Sequence, residues 1–187
     1  MTEQIEDQLM NGDGTGANLT GLLSPAMGLP AFNPGSFAGA IPNANHSDVI
    51  RVAKAQIEGQ NYTPTHIVMH PEAVASLQLT KGTDGTYTYP MYLPGTEGDS
   101  LSIAGVRVVS STFVKVNQYV IGDFARVNVR FRNDLSIQVG LDQDDFTRNM
   151  VTILAEARLV SYIKNNQKLA FVVGSFSTDI ASLEPTP

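Results

Sequence analysis

Hydrophobic positions alternate most regularly in the last quarter of the chain. Between Met150 and Ile163 the odd positions Val151, Ile153, Ala155, Ala157, Leu159 and Ile163 are apolar, whereas the even positions mix Met150, Leu154 and Val160 with Thr152, Glu156, Arg158 and Tyr162. Period-two patterning of this kind predicts a strand with one face in a core. Met150, Ile153, Leu154 and Ala157 also fit a 3.6-residue stripe, so a helix stands as the alternative. A second apolar run, Leu169–Phe176, follows the polar turn Lys164-Asn165-Asn166-Gln167-Lys168. The two runs are expected to pair with each other as one long hairpin.

Upstream, the pattern changes character. Ile5 and Leu9 are spaced i, i+4 in an acidic segment that Asn11-Gly12 ends, which predicts the last turns of a helix and suggests that the chain continues a longer one. A Gly/Pro/Ala-rich stretch then runs to about Asn45, punctuated by Pro25, Pro30, Pro34 and Pro42 but carrying Leu22, Met27, Phe32 and Phe37. Such a segment is expected to be extended and to drape over a surface. Val49, Val52, Ala53 and Ile57 predict a helix over 46–59, capped at its start by Asn45 or Ser47 and ended by Gly59. Thr65–Met69 reads as a short buried strand, and Pro71 opens a second helix over 71–79. A Gly-rich loop is expected at Leu93–Ser100. Short strands follow at Val106–Val109, Gln118–Ile121, Val127–Phe131 and Ser136–Val139. Helices precede strands, so the class is α+β.

Charge and composition remove several functions. The net charge of −6 argues against a nucleic-acid-binding surface, which needs clustered Lys and Arg. Cysteine is absent, which excludes disulfides, thiolate metal sites and a cysteine nucleophile. No apolar run reaches the length of a membrane span, and the acidic N-terminal residues do not form a secretory signal.

Candidate chemistry is sparse. Gly12-Asp13-Gly14-Thr15-Gly16 is glycine-rich like a phosphate loop, but it follows a helix and opens a loop, so helix termination is the better reading. His66 and His70 are four apart but separated by a strand-like run and followed by Pro71, which denies them the helical spacing of a zinc pair. Asp142, Asp144 and Asp145 lack the glycine and the later glutamate of a calcium loop and read as a solvated acidic turn. No cofactor, no metal and no catalytic residue are expected.

Ordered matches along the chain carry a family resemblance. Met10-Asn11-Gly12-Asp13-Gly14-Thr15-Gly16, His70-Pro71 before a helix, Gly105-Val106-Arg107-Val108-Val109, Val120-Ile121-Gly122-Asp123-Phe124, Phe146-Thr147-Arg148-Asn149-Met150, Glu156-Ala157-Arg158 and Leu169–Gly174 follow one another as in tailed-bacteriophage major capsid proteins. The chain resembles the C-terminal part of that family. The resemblance implies the capsid fold: a peripheral domain built on a long antiparallel strand pair, and an axial domain of mixed sheet flanked by helices. On that basis residues 1–45 are expected to be the end of the spine helix plus an extended segment of the peripheral domain, 46–140 the axial domain, 141–176 the long strand pair, and 177–187 a tail. It further implies a non-enzymatic virion subunit, assembled in the host cytoplasm into an icosahedral shell around double-stranded DNA. Its partners would be copies of itself in pentamers and hexamers, with portal or decoration proteins in addition, and neither a specific nucleic-acid site nor a membrane. An encapsulin-type compartment shell shares the fold and stays open as an alternative, as does a small enzyme with an unrecognised pocket.

One branch of the family cross-links its subunits through an isopeptide bond between a lysine and an asparagine, assisted by a glutamate. Asn149 and Glu156 match that asparagine and glutamate in motif and spacing. On one continuous strand an odd separation puts them on opposite faces, roughly 23 Å apart, so they would meet groups only on neighbouring subunits. The plainer reading has Asn149 ending a strand and Glu156 pairing with Arg158, and it is the one preferred.

Overall fold

The computed structural model describes residues 2–82, 85–87, 101–141 and 145–185. The loop expected at Leu93–Ser100, and Asp142 and Asp144, lie outside them. In chain order the elements are α1 (Thr2–Asn11), α2 (His46–Glu58), β1 (His66–Met69), α3 (Pro71–Gln78), β2 (Ser102–Ile103), β3 (Val106–Ser110), β4 (Gln118–Gly122), β5 (Asn128–Gly140), α4 (Asp145–Arg148), β6 (Thr152–Tyr162), β7 (Phe171–Ser175) and α5 (Phe176–Leu183). The class is α+β, as the order of patterns predicts.

A five-stranded sheet in the order β2-β3-β1-β4-β7 forms the centre of the molecule. β1 runs parallel to β3, and the other neighbours are antiparallel. Strand alternation decides what each face carries. Ile67, Met69, Val106, Tyr119, Ile121 and Val172 point to one side, where they join Val49, Ile50, Ala53 and Ile57 of α2 and Phe176 and Leu183 of α5. Val68, Val120 and Phe171 point to the other, where Leu22, Met27, Val114 and Ile163 cover them. A sheet buried on both faces reads as short continuous apolar runs, which is why β1, β4 and β7 show little polar alternation.

α2 and α3 begin where capping chemistry places them. Asn45 accepts from Ser47 and Asp48 N–H groups while Asp48 returns a bond to the Asn45 N–H, a reciprocal capping box. Pro71 sits in the first turn of α3, and the His70 ring Nδ1 accepts from the Glu72 N–H.

The Gly/Pro-rich stretch drapes as expected, against this chain's own sheet edge. The Phe32 N–H donates to the Val173 carbonyl and the Val173 N–H to the Pro30 carbonyl, both at 3.0 Å. The chain then crosses onto α5, where the Ile41 N–H donates to the Leu183 carbonyl at 2.9 Å. At its start, Gly12 and Gly21 pack backbone on backbone. A side chain at Gly21 would lie 2.6 Å from the Met10 carbonyl, so only glycine fits there.

Two expectations fail. β6 does not pair with the run Leu169–Phe176; it pairs with β5, from Asn128↔Tyr162 to Gly140↔Thr152, while β7 pairs with β4 in the central sheet. The polar turn at 164–168 is no hairpin turn but part of a 3-10 turn over Asn165–Ala170, which leads the chain away from the ribbon. The stretch expected as a tail contains most of α5, anchored by the buried Phe176 and Leu183.

Candidate functional site

The β5–β6 pair is a separate two-stranded sheet. Both strands alternate, and the register brings like faces together. Ile153 lies opposite Val139, Ala155 opposite Ile137, Leu159 opposite Phe131 and Ser161 opposite Val129, which makes one face almost wholly apolar. The other face pairs Leu154 with Gln138, Glu156 with Ser136, Arg158 with Asn133 and Val160 with Arg130. Register shifts between Phe131 and Ser136 mark an irregularity in β5 alone, and bulged strands twist and bend.

Burial fades along the ribbon. Ser161, near its base, is buried and donates its hydroxyl to the Thr20 carbonyl at 2.7 Å. Leu159 and Ala157 are half-buried, and beyond them Ala155 and Ile153 are open. Ile137, Val139 and Ile153 are 65%, 69% and 67% exposed, so about two-thirds of each branched aliphatic residue's surface faces water. Among the described residues most exposed large apolar side chains fall between Val129 and Tyr162. Isolated surface apolar residues are ordinary, but a contiguous patch marks a contact surface. Isolated two-stranded ribbons are also marginal in water, so this one has reason to find a cover.

Between α1 and the ribbon lies a groove of about 750 Å³. Ile5, Leu19 and Leu159 give it an apolar floor, and Arg130, Arg132 and Arg158 line it together with Glu156. Five consecutive residues, Glu156 to Val160, contribute, so the groove follows the strand.

Among the described residues, those singled out in the sequence occupy separate elements of the fold. Asn149 lies outside β6, in a left-handed turn with φ of 53° just after α4. Asparagine tolerates that conformation because its short polar side chain can bond locally. The face-parity relation between Asn149 and Glu156 therefore loses its premise, which was one continuous strand. Glu156 sits inside β6, exposed, and forms no ion pair with Arg158 among the described residues. Asp13 closes the glycine-rich turn on itself. Its carboxylate accepts from the Thr15 N–H, the Asn18 amide and the Thr15 hydroxyl, and these bonds hold its pKa down at about 2. The loop's donors are thus turned toward a carboxylate of the chain itself rather than toward an external anion. His66 lies on β1 with its ring against Thr65 Oγ1, and His70 is occupied by its cap. No cluster of metal-ligating side chains occurs among the described residues.

A buried polar pair escaped the sequence reading. The Tyr119 hydroxyl donates to Asp179 Oδ2 at 2.8 Å, and the Ser175 N–H donates to the same oxygen at 3.0 Å. Burial pushes the Asp179 carboxyl above its ordinary range against the pull of both donors, and burial followed by the Asp179 charge pushes the Tyr119 phenol up. The pair joins β4 to α5 across residues 60 positions apart, a separation with no local signature.

A model of the phage capsid family matches residues 1–175. The major capsid protein of Enterobacteria phage HK97 is 31% identical over 176 residues, which cover 92% of this chain and 43% of that protein. The chain thus spans less than half the length of this curated relative. Among solved structures, the capsid of an empty GTA particle aligns with a TM-score of 0.66 at 18% identity, over 93% of this chain and 61% of that one. Gordonia phage Cozz gives 0.64 at 16% identity, over 92% and 58%, and Mycobacterium phage Adephagia 0.62 at 15%, over 92% and 60%. At these identities the structures establish a shared fold.

Proposed function

The chain belongs to the phage capsid family, and on that premise we propose that it serves as part of a structural subunit whose repeated copies build an icosahedral shell around double-stranded DNA. The observation that carries this reading is the uncovered apolar face of the β5–β6 ribbon. A surface that costs solubility in the free molecule is retained because another copy covers it. The peripheral part of the subunit is then α1, the loop after it and the ribbon; the axial part is the five-stranded sheet with α2, α3 and α5. The subunit takes its place in the virion after assembly in the host cytoplasm, in pentamers and hexamers, with portal or decoration proteins as further partners. No step requires a catalytic residue or a cofactor. The net charge of −6 favours a lining that leaves packaged DNA free to move.

Electron microscopy of the full-length protein tests the proposal. Closed particles are the expected result, and a strictly monomeric protein at high concentration would refute it. The same particles, dissolved in denaturant and run on a gel, address Asn149 and Glu156. Bands restricted to the mass of one subunit fit a positional role for both residues, and a covalent ladder that disappears both in Asn149→Ala and, separately, in Glu156→Gln would assign them the cross-link.

A further inference from the structure

The groove beside α1 gathers three arginines in a chain whose net charge is −6. Arg130, Arg132 and Arg158 are exposed there, and none of them forms an ion pair among the described residues. Glu156 offsets one of these charges at most. The groove has an apolar floor and a cationic rim, so it suits an occupant with a ridge of carboxylates on a regular backbone.

The chain carries such a ridge. In α1, Glu3, Glu6 and Asp7 are exposed, and Glu3 and Glu6 are without an ion-pair partner among the described residues. Asp7 accepts from the Asn11 amide at 2.7 Å and has no ion-pair partner among the described residues. These three do not face the groove beside their own helix, which Gln4, Ile5 and Gln8 line. At about 100° per residue, the acidic stripe and the groove-facing stripe are centred roughly 150° apart on the helix. One molecule therefore presents a cationic groove on one side of α1 and an anionic ridge on the opposite side. A surface that complements its own far side cannot be satisfied internally; it is satisfied by the next copy, head to tail.

We propose that the arginine-rimmed groove between α1 and the β5–β6 ribbon receives the Glu3–Glu6–Asp7 face of α1 from a second copy of this chain. The contact is heterologous: each copy gives its ridge to one neighbour and takes a ridge from another. It rests on the reading of the protein as a self-assembling subunit and specifies one of the contacts that this reading requires. Exposed ion pairs are individually weak, so the contribution is to register and partner choice along a line of pairs more than to affinity.

Charge swapping tests it in the full-length protein. Variant A carries Arg130→Glu and Arg158→Glu; variant B carries Glu3→Lys and Glu6→Lys. In variant A groove and ridge are both acidic, and in variant B both are basic, so each repels its own kind. Self-association, read by sedimentation velocity at low ionic strength, is expected to weaken on the order of tenfold or more in either variant alone. An equimolar mixture restores it, because A and B then alternate. Added salt narrows the difference. Circular dichroism of each variant checks the fold, and Glu3→Gln with Glu6→Gln, which leaves the helix start uncharged rather than reversed, should fall between wild type and variant B. A mixture that sediments no faster than its components overturns the pairing. Particles that form equally well from either variant alone overturn it too, while leaving the shell reading in place. A wild-type protein that stays monomeric at every concentration removes the shell reading and this contact together.

Discussion

His46 opens α2 with its ring 4.5 Å from that of Phe176, and Phe176 in turn lies 4.5 Å from Tyr119, whose hydroxyl reaches Asp179. The two titratable ends of this stack respond to acid in opposite directions. Burial lowers the His46 pKa below 6.5, so as pH falls through that value the unfolded chain takes the proton first and stability is lost. Burial raises the Asp179 pKa above 3.8, so between that value and its folded pKa the folded chain holds more protons, and acidification there adds stability. His46→Gln removes only the first effect. Urea unfolding across pH should therefore show a smaller loss for His46→Gln than for wild type on the acid side of 6.5, and equal acid sensitivity would refute the assignment. Tyr119→Phe withdraws one of the two donors to a buried carboxylate and should cost about 1–3 kcal/mol at neutral pH. Gly174→Ala acts on the same pair sterically. Its new methyl would lie 2.6 Å from the Tyr119 hydroxyl and closer still to Asp179 Oδ2, so a loss of about 1–3 kcal/mol by urea titration is expected.

At the scale of elements, the two sheets respond differently to the same substitution. Ile121 is fully buried between strands and helices, and Ile121→Ala should destabilise by about 2–5 kcal/mol. Ile137 and Ile153 share the open face of the ribbon, and Ile137→Ser with Ile153→Ser should change the chain's own unfolding free energy by only about 0.5 kcal/mol each while suppressing self-association. A large drop in the stability of the unassociated chain would show that the face is covered within one molecule. The contrast also explains what could be read beforehand. β6 was legible because period two shows in a single strand, and α2 because a capping residue, an apolar stripe and a terminal glycine agree. The partner of β6 was not legible: β5, with alternating apolar positions, and the apolar run at 169–176 both suit a strand, and only the long-range register separates them. α5 was hidden for a related reason. The apolar run entering it is continuous with β7, and no side chain caps its start. The arginine groove left no local signal at all, since Arg130 and Arg158 lie 28 positions apart in the chain and meet only because β5 and β6 pair.

For the molecule as a whole, stability and assembly are assigned to different bodies. The five-stranded sheet is covered on one side by α2, α3 and α5 and on the other by the draped segment, Val114 and Ile163, so its central strands β1 and β4 are expected to open only with global unfolding. The ribbon has one partner strand and a covered base. Beyond Ala157 its side chains make way for water, and its backbone bonds can break without disturbing either core. Amide hydrogen exchange should register this division twice. In the unassociated protein, residues 128–140 and 152–160 exchange early and β1 and β4 late. In assembled particles, protection rises in the ribbon, most steeply towards Val139 and Ile153 where the apolar face is open, and changes little in the central sheet. Ribbon amides already as slow as those of β4 before assembly would mean that the ribbon is stabilised within its own chain. Ribbon amides that stay fast in closed particles would mean that the shell is held together elsewhere. The gradient along the strand is the discriminating feature, because a general slowing on assembly would spread evenly from Ser161 to Thr152, whereas a neighbour covering the open face protects the far end most.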